Sequence, residues 1–211
     1  MIQDSGNRRE FETGAVRDIA EGKGRCDLLP LDIVNRYYNY SYSRPEKKCS
    51  PDEKTRKTTY IFDKIDSFIR TGDVMFLYDS IYEFSEYETE WSFANTILEV
   101  SKHYEEGCKK YGERNWEKGI PVHCYIDSAV RHYLKFIRGD KDERHDRAFV
   151  WNLLCALWTI EHKPELCDIT KCDSNAVCGK EKCENNDKIP YKSASNYNYE
   201  SKYQDKTQIR G

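Results

Sequence analysis

Apolar residues recur at helical spacing through most of the first 162 positions. Leu28, Leu29, Leu31, Ile33 and Val34 begin a short helix near Pro30. Ser50-Pro51-Asp52-Glu53 reads as a helix start, with a capping hydroxyl, proline at the first helical position and acids for the macrodipole. Ile61, Ile65, Phe68 and Ile69 carry its apolar stripe to a stop near Gly72. Met75, Leu77, Tyr78, Ile81, Tyr82 and Phe84 predict another short helix. A longer one runs from near Thr89 to about Tyr111, interrupted by Gly107 at a cost of about 1 kcal/mol relative to Ala. The next spans about Pro121 to Ile137 and is ended by Gly139. The last, about Asp142 to His162, is apolar nearly all round, as a central core helix is. No segment shows sustained alternation with hairpin turns, so the predicted class is all-α, a compact helical bundle.

Composition sharpens this picture. The chain has 211 residues, 38% hydrophobic and 34% charged, and no apolar run of the ~18 residues a membrane span needs. A net charge of −3 offers no general footprint for nucleic acid. With no secretory pattern at Met1–Glu10, a cytoplasmic location is expected. Four regions are read: a glycine/arginine-rich N-terminal arm (1–30), a helical domain (31–162), a cysteine-containing segment (163–183) and a disordered tail (184–211), whose composition buries too little to offset ordering entropy. Gly14, Gly22 and Gly24, with Arg17 and Arg25 between or beside them, suit close approach to a phosphate, and equally a flexible arm.

Nine cysteines without a secretory context point to free thiols. Cys108, Cys124 and Cys155 sit among apolar residues and read as small buried hydrophobes. Cys167, Cys172, Cys178 and Cys183 stand in a polar segment as C-x4-C-x5-C-x4-C and could close a tetrahedral zinc site, although the tight C-x2-C knuckle is missing.

Rotating about 100° per residue, three polar stripes emerge. Glu99, His103, Glu106 and Lys110 share one. Asp127, Arg131 and Arg138 share the second, flanked by Ser128 and His132. Asp142, His145, Asp146, Phe149 and Asn152 share the third. The first two suit a solvated face laced by i, i+4 ion pairs. On the third, a buried Asn152 needs a hydrogen-bond partner, and converging carboxylates and histidines could hold Mg²⁺ or Mn²⁺. His145-Asp146 is also the dipeptide of HD-type metal phosphohydrolases, completed only if His103 or His132 and Asp168 converge on it. Tyr111-Gly112-Glu113-Arg114-Asn115-Trp116 places an aromatic, an amide and an arginine in one loop, fit for stacking on a base and reading its edge, or for ordinary packing.

Taken in order, several of these segments resemble one family. They are Gly14-Ala15-Val16-Arg17-Asp18, Gly24-Arg25-Cys26-Asp27-Leu28-Leu29-Pro30, Glu106 to Trp116, Asp127 to His132, Gly139-Asp140 and His145 to Asn152. Over roughly residues 5–34 and 95–162 the chain is similar to the phage proteins called dATP/dGTP diphosphohydrolase, N-terminal type, linked to all-α nucleotide pyrophosphohydrolases of the MazG kind. The resemblance implies Mg²⁺- or Mn²⁺-dependent cleavage of a purine nucleoside triphosphate to monophosphate and pyrophosphate. With the stripes, it puts metal on Glu99, Glu106, Glu143 and Asp146, and catalysis on Glu106, His132, Arg131 and Lys110. Nucleotide binding falls to Arg17, Arg25, Tyr111, Arg114, Asn115, Trp116 and Asn152. Glu143-x-x-Asp146 fits the later MazG carboxylate pair, whereas Glu99 and Glu106 are seven apart and depart from the earlier E-x-x-E. The resemblance also favours a homo-oligomer, in the host cytoplasm if the chain is phage-encoded. Two other readings compete: a non-catalytic protein that sequesters a small nucleotide such as a host defence signal, and a zinc-stabilised interaction module.

Overall fold

The computed structural model describes residues 8–18, 21–44, 53–89 and 92–169, without the side chains of 18, 53–59, 87 and 88. Among these are six helices: α1 (Leu31–Tyr42), α2 (Glu53–Thr71), α3 (Met75–Glu83), α4 (Phe93–Tyr111), α5 (Val122–Arg138) and α6 (His145–His162). The all-α class holds, with one small addition: β1 (Arg8–Glu10) pairs antiparallel with β2 (Val16–Asp18) in the N-terminal arm. Ser50–Asp52, the tail assigned to 184–211, and the cysteine segment after Ile169 lie outside the described residues.

Helix α6 is the axis of the bundle and packs against α1, α3, α4 and α5. Phe149, Leu153, Leu154 and Cys155 are fully buried on it. Phe149 meets Phe84 at 4.6 Å and Tyr133 at 5.3 Å between ring centroids, tying α6 to the end of α3 and to α5. Burial of such aromatic side chains supplies most of the stabilisation of a small bundle.

Local signals set most helix ends. Gly72, Gly112 and Gly139 have φ of +69°, +88° and +85°, a region side chains disfavour, and each N–H bonds back into the helix it terminates. Two starts differ from the periodicity. Phe84–Glu88 continues α3 as a single π turn, and α4 begins only at Phe93, where the Ser92 hydroxyl accepts the Asn95 N–H. Helix α6 begins at His145 rather than Asp142. Asp140 is bound by Arg138, and Asp142 by Lys135 at 3.0 Å, so the acidic turn is drawn back onto α5 instead of entering α6. Asp142 therefore leaves the third stripe, and Glu143-x-x-Asp146 does not lie on one helix.

The glycine-rich arm packs on α4. The Glu105 carboxylate accepts the Gly22 and Gly24 N–H groups, each at 2.9 Å, and the Arg25 N–H reaches Ser101 O at 3.0 Å. The backbone donors that could have cradled a phosphate are thus occupied by a side chain of the same molecule.

Candidate functional site

A cavity of about 380 Å³ opens where α4, α5 and α6 meet the loop 111–116, within the size range of small-molecule sites. The loop is shaped by Gly112 and by Arg114, whose φ of +50° makes it the sole described non-glycine residue in the left-handed region. Its guanidinium donates to Asp27 O at 2.6 Å and pairs with Glu117, fixing the turn. The short 3-10 turn Asn115–Lys118 then drives Trp116 inward. The indole ring packs edge-on against Trp158 at 4.9 Å and Tyr104 at 5.7 Å. Trp116 lines the cavity but is only 5% exposed, and its buried Nε1 has no hydrogen-bond partner. A buried donor without an acceptor is costly. Tyr111 is exposed and Asn115 half-buried at the rim.

His103 and His132 line the same cavity. His103 meets the Trp151 ring at 5.5 Å, and burial pushes its imidazole down to about 4. His132 is likewise lowered by burial. Its Nδ1 lies 3.1 Å from His145 Nδ1 and 3.3 Å from Glu143 Oε1. His145 Nδ1 is 3.4 Å from the same Glu143 oxygen, and His145 Nε2 is 2.8 Å from Asp142 Oδ1. Lys135 and His145 together hold the Asp142 carboxyl down at about 2.

The four carboxylates expected to share Mg²⁺ are arranged otherwise. Arg147 donates to Glu99 through Nε at 2.9 Å and Nη2 at 2.5 Å, and Lys102 binds the same group. Although burial opposes it, these hydrogen bonds hold the Glu99 carboxyl below its usual range. Asp146 is gripped by both arms of Arg144, at 3.0 and 2.6 Å. Glu106 faces His103 at 3.6 Å and Arg147 at 3.7 Å. Among the described residues, three sets of His, Asp and Glu bring ligand atoms within 4.8 Å of one another, and none contains Glu99, Glu106 or Asp146. That quartet does not fit a shared Mg²⁺, because guanidinium groups already neutralise Glu99 and Asp146 while Glu143 faces His132 and His145 instead.

Of the other expected site residues, Tyr111, Arg114, Asn115, Trp116, His132, Glu143 and Asn152 line the cavity. Asn152 donates its amide to Ala148 O on its own helix at 2.8 Å, which answers the need for a partner. Arg131 pairs with Asp127 on the exposed face of α5, as the solvated-face reading has it. Lys110 lies over the Tyr111 ring at 4.9 Å. Arg25 forks onto Asp27 and reaches Glu113 at 3.0 Å, while Arg17 is exposed on β2. None of these four lines the cavity. The HD set does not assemble: His145 meets His132, but Asp146 turns to Arg144 and Asp168 accepts the His123 N–H at 3.0 Å. The five described cysteines are free thiols. Cys155 is buried, Cys108, Cys124 and Cys167 are half-buried, and Cys26 is exposed. Cys172, Cys178 and Cys183 lie outside the described residues.

Sequence reasoning missed one arrangement and left another conditional. Nothing in the sequence marks Glu105 as the residue that holds the arm, since one more glutamate on a charged helix carries no signal. The meeting of His132 with His145, named as a condition of the HD-type set, depends on how the turn between α5 and α6 folds back.

No curated protein and no solved structure matches the chain. The model of one family does, over residues 81–169, which take in α4 to α6 and the cavity loop. Over that stretch the chain is similar to the family described as dATP/dGTP diphosphohydrolase, N-terminal.

Proposed function

We propose that the chain hydrolyses a purine (deoxy)nucleoside triphosphate of the dATP/dGTP kind to monophosphate and pyrophosphate, with the nucleotide in the α4–α5–α6 cavity. One observation carries this reading. Inside the family-matched stretch, one cavity is lined by Tyr111, Arg114, Asn115 and Trp116, whose buried Nε1 has no partner. In this reading the indole N–H donates to an acceptor on the base edge, Asn115 reads a neighbouring edge position and the exposed Tyr111 ring covers the base. Arg114 supplies charge toward the phosphates. The water oxygen bonds to the α-phosphorus and its proton passes to a base at the cavity wall, where His103 and His132 both stand, kept neutral by burial. The bond from that phosphorus to the α–β bridging oxygen breaks, and pyrophosphate leaves with its electron pair.

A second reading, binding without turnover, is favoured by the arginine pairing of Glu99 and Asp146, which removes two carboxylates from catalytic duty. A thermal-shift screen of dNTPs, NTPs and cyclic nucleotides, with and without Mg²⁺ or Mn²⁺, followed by product analysis, separates the two. A ligand at about 100 times its Kd stabilises by about 2.7 kcal/mol. Monophosphate plus pyrophosphate establishes hydrolysis, an intact recovered ligand establishes sequestration, and no shift with any nucleotide refutes both.

A further inference from the structure

We propose that His132, His145 and Glu143 bind one divalent transition-metal ion at the edge of the cavity. His132 Nδ1, His145 Nδ1 and Glu143 Oε1 form a nearly equilateral triangle with sides of 3.1, 3.3 and 3.4 Å. The centre of such a triangle lies about 1.9 Å from each corner, so an ion with ordinary bond lengths of about 2.0–2.2 Å sits just out of its plane. Three ligands then occupy one face of the ion and leave the opposite positions open, the arrangement of a two-histidine, one-carboxylate site.

Proton placement supports the assignment. His145 is 2% exposed, and its Nε2 addresses the ionised Asp142 carboxylate at 2.8 Å. Donation from Nε2 to that carboxylate orients the ring with Nδ1 toward the triangle, where a bound ion would take its lone pair. Asp142 is thus a positioning residue: it fixes the tautomer and orientation of a ligand without entering the site. The ion-pair partners of Glu143 are the two imidazoles, in contrast to the guanidinium partners of Glu99 and Asp146.

The other two candidate sets are weaker. Asp140 and Asp142 are already bound by Arg138 and Lys135, and Glu161, beside Asp32 and His162, is bound by Arg36. Two imidazole nitrogens and one carboxylate favour Mn²⁺, Fe²⁺, Co²⁺ or Zn²⁺ over Mg²⁺ or Ca²⁺, which prefer all-oxygen surroundings. His132 and Glu143 both line the cavity, so an ion here borders on any ligand bound there. Binding of the ion itself does not depend on the nucleotide reading, and its test uses the metal alone.

The full chain, stripped with chelator, is titrated with Co²⁺ and followed by calorimetry and by the cobalt absorption spectrum. One equivalent with a nitrogen/oxygen spectrum is expected for wild type. His132→Gln and Glu143→Gln, with unchanged far-ultraviolet circular dichroism, should each bind at least 10-fold more weakly. Asp142→Asn should weaken binding about 10-fold while keeping all three ligands. No binding by wild type, binding undiminished in all three variants, or a thiolate-to-cobalt charge-transfer band would each overturn the proposal. The last of these would place the ion on cysteine. Metal bound here without any nucleotide shift leaves the site standing and removes the nucleotide reading.

Discussion

Arg147 on α6 and Glu99 on α4 form the main ion pair between these helices, with Nε at 2.9 Å and Nη2 at 2.5 Å from the same carboxylate oxygen. The Arg147 side chain is only 10% exposed and that of Glu99 23%, so neither charge is well hydrated. Removing one partner strands the other, at a typical cost of about 3–5 kcal/mol. Glu106 stands 3.7 Å away and offers partial compensation. Glu99→Gln is therefore expected to lose about 2–3 kcal/mol in denaturant unfolding, and Glu99→Met with Arg147→Met to recover most of it. A stability-neutral Glu99→Gln would remove the structural reading and return this carboxylate to the pool of metal ligands.

Gly24 and Gly107 make an opposed pair. Gly24 has φ +89°, and a Cβ there would meet Ser101 Oγ at 2.0 Å and backbone atoms at 3.0 Å, so Gly24→Ala forces the arm off α4. A loss of about 2 kcal/mol or more is expected. Gly107 lies inside α4, and an added Cβ would meet nothing within 4 Å. Gly107→Ala should gain about 0.5–1 kcal/mol. Thermal unfolding of the two variants checks the contrast, and a Gly24→Ala protein as stable as wild type would show that the arm is not docked.

His103 makes stability depend on pH in the metal-free protein. Its folded imidazole is pushed down from 6.5 to about 4 by burial, so the unfolded chain takes up the proton first. Its contribution is fully present above about pH 6.5, declines as pH falls toward 4, and changes no further below that. The difference amounts to about 3 kcal/mol. Carboxylates held low by partners, such as Glu99 and Asp142, lose their contribution only at more acid pH. His103→Gln is expected to flatten the decline between pH 6.5 and 4.5 in chelator-treated protein, and an unchanged slope would assign that decline to other groups.

Trp116→Phe keeps an aromatic ring between Trp158 and Tyr104 but removes the buried N–H. Because that donor has no partner, its loss should offset part of the cost of the smaller ring, leaving stability within about 1–2 kcal/mol of wild type. Binding of the best purine nucleotide should fall about 10-fold, as expected for a lost hydrogen bond in a closed site. Equal affinity in the two proteins, by calorimetry, would confine Trp116 to packing.

Where the backbone turns was largely legible from the chain. Gly72, Gly112 and Gly139 stop helices because the left-handed turn after each favours glycine, and the apolar periods of α2 and α5 place Ile65, Phe68, Ile126 and Ala129 in the core. These are local facts, decided within four or five residues. Helix α6 was legible as the central element and misjudged by three residues at its start, because Arg138 and Lys135 hold the acidic turn from outside the window that periodicity reads. The candidate site was legible only in part: the loop 111–116 and His132 reach the cavity, while Arg17, Arg25, Lys110 and Arg131 do not.

Sequence alone thus determined the helical class, the core stripes and, over 95–162 but not 5–34, the stretch that matches one family. The tertiary structure decided which charge meets which. Glu99 finds Arg147 across 48 positions and Glu105 finds the Gly24 N–H across 81. In a chain with 34 basic and 37 acidic residues, helical spacing assigns each side chain a face but not a partner. The partner follows from how neighbouring helices rotate and cross to bury Phe149, Tyr133 and Phe84, and the choice among charges is settled only after that packing is fixed.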